Sequence, residues 1–117
     1  MTTPADLLAA MTHASRDLQA RIDEHPGLVE RECDAERLAS LSEATAYLAS
    51  SGTVAERQAH VVKACADERY RANLAKGLTN SNKLAINAAM SRLSALQSQA
   101  SAMREEMRLA RVGTDGP

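Results

Sequence analysis

The chain has 117 residues, and its only aromatics are two tyrosines, with no Phe and no Trp. An all-β sandwich or barrel needs β-branched and aromatic residues in alternation, which are missing, and five Gly with three Pro are too few for a loop-rich protein. Charged residues at 25% and apolar residues at 44% suit a folded soluble chain, no apolar run approaches the roughly 18 to 20 residues of a membrane span, and the N-terminus lacks the pattern of a signal peptide. These features predict an all-α, cytoplasmic protein forming one domain over 1–117.

The net charge of −1 divides unevenly along the chain: residues 1–50 carry four Arg against nine acids, a net of −5, and residues 51–117 carry ten Lys and Arg against six acids, a net of +4. The division predicts acidic helices over 1–50 and a basic helical hairpin over 53–112. A polyanion-binding face, or electrostatic pairing between protomers, would both use such an imbalance.

In chain order, Thr3-Pro4-Ala5-Asp6 offers an N-cap, a proline at the first helical position and an acid at the third. Leu7, Met11, Ala14, Leu18 and Ile22 then define one helix face. His25-Pro26-Gly27 is expected to end this first helix, because proline cannot continue the hydrogen-bond ladder. A second helix follows, with Leu28, Val29, Cys33, Leu38, Leu41, Ala44 and Leu48 as its inward side, and Ser50-Ser51-Gly52 ends it. Thr53-Val54-Ala55-Glu56 reads as a capping box that starts a third helix, with Val54, Val61, Cys65 and Leu74 pointing inward. Gly77 is expected to terminate that helix, and Thr79-Asn80-Ser81 to cap the next.

The last helix carries the strongest pattern. Ile86, Ala89, Leu93, Leu96, Ala100, Met103, Met107 and Ala110 alternate steps of three and four, a heptad seam. A helix over 82–112 would be roughly 45 Å long, against a radius of gyration near 13 Å for a compact domain of this size. The expectation is a bundle of about four helices with a long C-terminal helix, and a homo-oligomer joined through Ile86, Leu93, Leu96, Met103 and Met107.

No nucleotide-binding, hydrolase or metalloprotease motif is present, and Cys33, Cys65, His13, His25 and His60 have no metal-ligand spacing. The reading is therefore a non-enzyme without cofactor or metal. Instead, Lys63, Arg69, Arg71 and Lys76 recur along the third helix, with Tyr70 between two arginines. Cations at such intervals can replace the counterions of a nucleic-acid backbone, and an aromatic can stack on a base.

The stretch Tyr47-Leu48-Ala49-Ser50-Ser51-Gly52-Thr53-Val54-Ala55-Glu56-Arg57-Gln58-Ala59 resembles small phage proteins of the UvsY type, the recombination mediators of T-even phages. Arg69-Tyr70-Arg71-Ala72 falls near the single-strand DNA motif of that family, with Arg-Tyr-Arg where the family carries Lys-Ala-Arg. Ala102-Met103-Arg104-Glu105-Glu106-Met107-Arg108 is similar to its C-terminal helix. The resemblance covers roughly residues 40–111. It implies an oligomeric, non-enzymatic protein that binds single-stranded DNA and helps load a RecA-like recombinase onto strands covered by single-strand-binding protein. The alternative is a helical interaction module, such as a phage assembly scaffold, chaperone or adaptor, acting through coiled-coil-like packing.

Overall fold

A computed structural model describes residues 2–114, and every regular element in them is helical. There are three helices: α1 over Pro4–Ala49, α2 over Val54–Ala64 and α3 over Ala66–Thr114. The start of α1 follows from its cap. The Asp6 amide donates to the Thr3 hydroxyl at 3.1 Å, and the Thr3 amide donates to the Asp6 carboxylate at 3.2 Å. That bond from the Thr3 amide holds the Asp6 carboxyl below the usual carboxylate range.

The expected four helices become three because two predicted breaks do not occur and one that was not predicted does. Pro26 lies inside α1, which runs through His25-Pro26-Gly27 without interruption. An interior proline removes one backbone bond and costs about 3 kcal/mol. Contacts on both sides of it offset that loss: the Asn82 amide meets His25 Nδ1 at 3.1 Å, and the Leu28 carbonyl accepts from the buried Thr79 hydroxyl at 3.2 Å. Gly77 and Thr79-Asn80-Ser81 lie inside α3, so neither the glycine stop nor the new cap forms. The Thr79 hydroxyl also bonds the Ala75 carbonyl one turn back, a use of threonine that leaves the helix intact. A break occurs instead at Cys65, between α2 and α3, where φ is −111° and ψ is 19°. Backbone bonds from Cys65 to Val61 and from Arg69 to Cys65 continue on either side, and no Gly or Pro marks the spot.

The turn between α1 and α2 does follow its sequence. Gly52 adopts φ 108°, a backbone conformation that side chains rarely tolerate, and a Cβ there would meet the Glu56 carboxylate. Thr53 caps α2 by accepting from the Glu56 amide at 3.2 Å.

Contacts divide the chain into two units, one of Glu24–Lys83 and one joining Met1–Asp23 to Leu84–Pro117. Each pairs a segment of α1 with an antiparallel segment of α3, and the first also holds α2. In the first unit the buried positions are Leu28, Ala39, Cys65, Ala72, Thr79 and Asn82; in the second they are Leu7, Ala14 and Ala89. Four of the seven buried apolar residues are alanines, so helix backbones approach closely while little apolar area is removed from water.

The side chains expected inward on the second and third predicted helices mostly point out. Leu28 and Cys65 are buried and Val61 is half-buried, but Val29, Cys33, Leu38, Leu41, Ala44, Leu48, Val54 and Leu74 are exposed. In α1 the protected face uses Leu28, Glu32, Ala35, Ala39, Ser42 and Ala46, in steps of four and three. Because Ala39 has no exposed surface, Ala39→Leu must push the helix pair apart. It should destabilise the protein by about 1–3 kcal/mol, read as a lower urea midpoint with an unchanged slope.

Candidate nucleic-acid interface and apolar seam

Of the five predicted nucleic-acid contacts, the structure separates Arg69 from the rest. Its Nε donates to Glu43 Oε2 at 3.1 Å, its Nη1 to Glu36 Oε2 at 2.8 Å, and its Nη2 to Glu43 Oε1. The two acids lie seven residues apart on one stripe of α1, and the guanidinium bridges them from α3. The hydrogen bond from Arg69 holds the Glu43 carboxyl below the usual carboxylate range, and the two carboxylates raise the Arg69 guanidinium further above its already high value. A phosphate would have to displace a fork that two carboxylates already fill. Arg69 is thus a link between helices in this unit.

Lys63, Tyr70, Arg71 and Lys76 remain exposed, and none of these three cations is in an ion pair among the described residues. Tyr70 is 67% exposed and defines an outward stripe of α3, whereas Lys63 lies on α2, before the break at Cys65. Arg71 and Lys76 diverge to either side of that stripe. Lys76 lines a shallow hollow with Glu32, Glu36 and Arg69. Tyr47, the other aromatic, is engaged: the Arg57 guanidinium lies 4.0 Å from its ring centroid and bonds its carbonyl at 2.8 Å.

The charge imbalance of the sequence closes on itself in the fold. The unit Glu24–Lys83 holds eight Lys and Arg against nine acids, and the other unit six against six. Acidic α1 and basic α2–α3 segments pair within one unit, so a net of −5 and +4 along the chain becomes −1 and 0 in space.

The predicted oligomerisation residues lie along α3. Ile86, Leu93, Leu96 and Met103 are half-buried, and Met107 is exposed. Leu93 shares a hollow with Leu8, Met11 and Thr12, while Met103 and Met107 share one with Pro4, Leu7 and Met11. The first segment of α1 therefore covers most of this seam.

Cys65 offers no reactive thiol. Burial pushes it up, and the carboxylates of Glu68 and Glu43 add to the rise. No group of His, Cys, Asp and Glu among the described residues is placed to hold a metal ion, and no helix there is long and apolar enough to cross a membrane. The bridging acids Glu36 and Glu43, and the polar pair His25–Asn82, escaped the sequence reading. The signal for the acids was their seven-residue spacing within one predicted helix, but their partner Arg69 lies on another element, and no local pattern links them. No protein-family model matches the chain, nor does any curated protein or solved structure.

The lowered Glu43 carboxyl sets the sign of a pH effect. Its contribution to stability is fully present above the unfolded carboxylate value and is lost as pH falls through the lower folded one. Wild type should exceed Glu43→Gln in Tm at neutral pH. The gap should shrink as pH drops below about 4 and vanish in stronger acid. A gap constant across a pH-resolved thermal melt would contradict this.

Proposed function

We propose that the chain is a non-enzymatic recombination accessory protein of the mediator type. It binds single-stranded DNA through phosphates and acts as a homo-oligomer that helps load a RecA-like recombinase onto strands covered by single-strand-binding protein. The observation that supports this reading is that Tyr70 and the cations Lys63 and Arg71 are all exposed, with no acid in an ion pair with either cation among the described residues. The resemblance over residues 40–111 points the same way. Lys76 contributes from the side of the stripe, and Arg69 holds the helices that display the others.

A second reading, a helical scaffold, chaperone or adaptor, is favoured by the near-neutral charge of both units and by the leucines outside the helix pair. A retardation assay separates the two readings. Binding to a labelled oligonucleotide should be independent of sequence and should fall with salt at about −0.7 per phosphate neutralised. Lys63→Ala with Arg71→Ala should flatten that slope by about one to two units, and Tyr70→Ala should weaken binding roughly five- to hundredfold. Arg69→Gln, in protein that stays folded, should leave affinity unchanged. Absence of binding at about 20 mM salt, where phosphate contacts are strongest, would leave the adaptor reading.

A further inference from the structure

Within the unit Glu24–Lys83, α2 rests lightly on its neighbours. None of its eleven residues is buried, and only Arg57 and Val61 are half-buried. The paired segments of α1 and α3, by contrast, bury Leu28, Ala39, Ala72, Thr79 and Asn82. A hollow of about 500 Å³ remains between α1 and α2, lined by Glu43, Ala44, Tyr47, Gln58, Val61 and Val62.

Arg57 supplies the specific contact between these two helices. Its Nη2 donates to the Tyr47 carbonyl at 2.8 Å, and its guanidinium lies over the half-buried Tyr47 ring. The last turn of α1 has no basic residue of its own, so Arg57 brings the cation that a helix C-terminus favours. The hold is incomplete. Arg57 Nε is buried without a hydrogen-bond partner among the described residues, which offsets part of what the other contacts contribute. Both ends of α2 are places where the chain can turn. Residues 50–53 contain Gly52 at φ 108°, and Cys65 leaves helical geometry while backbone bonds continue on either side of it.

We infer that α2 is a strap that opens from α1 as one piece, pivoting at Cys65, with Arg57 as its latch. Opening leaves the α1–α3 pair intact. It uncovers the Tyr47 ring and the Arg57 guanidinium, which the closed chain holds against each other. A segment with few buried contacts opens at lower free energy than the core it rests on. The inference stands apart from the DNA reading, and its test uses no nucleic acid.

The test is amide hydrogen exchange on the full chain, read at residues 58–64, past the first turn, whose amides lack helical partners. In wild type these amides should be less protected than those of Ala39 and Ala72. Low urea should accelerate exchange at Ala39 and Ala72 steeply and at 58–64 weakly, because strap opening exposes little surface. Arg57→Ala should raise exchange at 58–64 roughly ten- to a hundredfold, as loss of one hydrogen bond from a charged group implies. Arg57→Lys, which keeps the charge without the planar fork, should fall between. Equal protection of α2 and the helix pair, or the same urea dependence in both, overturns the inference. Unchanged exchange at 58–64 in both Arg57 variants overturns it too. So does loss of helicity along the whole chain in Arg57→Ala, because Arg57 would then belong to the core of the pair.

Discussion

The closeness of the paired helices is the constraint on which the rest of this structure depends. Ala39 and Ala72, with Thr79 and Asn82, form the buried face of one unit, and Ala14 and Ala89 recur in the other. Small residues let backbones approach, but each removes little apolar surface from water, so burial alone stabilises weakly. Polar links between the helices therefore matter more than they would in a leucine-filled core. Thr79 reaches across to the Leu28 carbonyl, and Asn82 meets His25 one turn earlier on α1. A polar side chain in an otherwise apolar helix interface fixes register, because any slip leaves it without its partner.

The Arg69 bridge works in the same way at the flank. Its three donors reach two carboxylates of α1, which defines both the alignment of the segments and the side on which charge gathers. An exposed ion pair is worth little by itself, but a planar fork held between two acids is directional. The bridge leaves the proposed nucleic-acid face one cation fewer. The first cation of Arg69-Tyr70-Arg71 is turned toward Glu36 and Glu43, and only Tyr70 and Arg71 of that motif face outward.

Local signals were legible where the chemistry is local. The Thr3 and Thr53 caps, the Gly52 turn and the seam from Ile86 to Met103 all follow from residues within a few positions of one another. The breaks at Pro26 and Gly77 were not, because each is decided by what packs against the helix. Proline and glycine lower helix stability by a few kcal/mol at most, and contacts on either side can exceed that. The kink at Cys65 has no counterpart in local propensity. The inward leucines were misjudged for a related reason. Once Pro26 is treated as an end, the phase of the following segment is free, and Leu28, Leu38 and Leu41 seem to define its inner face. With α1 unbroken, the phase set by Leu7, Met11, Ala14 and Leu18 continues, and it selects Ala35, Ala39 and Ala46.

That change of phase alters what the apolar residues of α1 are for. Leucines assigned to the interior would leave a helical hairpin with polar sides. With alanines inside, the same composition leaves Leu38, Leu41 and Leu48 in water, beside Leu74 and Leu78 of α3. Exposed leucines are ordinary taken singly, but each of these leaves in water apolar surface that an inward leucine would remove. The ion pairs of Arg69, the exposed leucines and the exposed Lys63 and Tyr70 then differ in chemistry on one small unit. All three follow from alanines, and not leucines, holding the helices together.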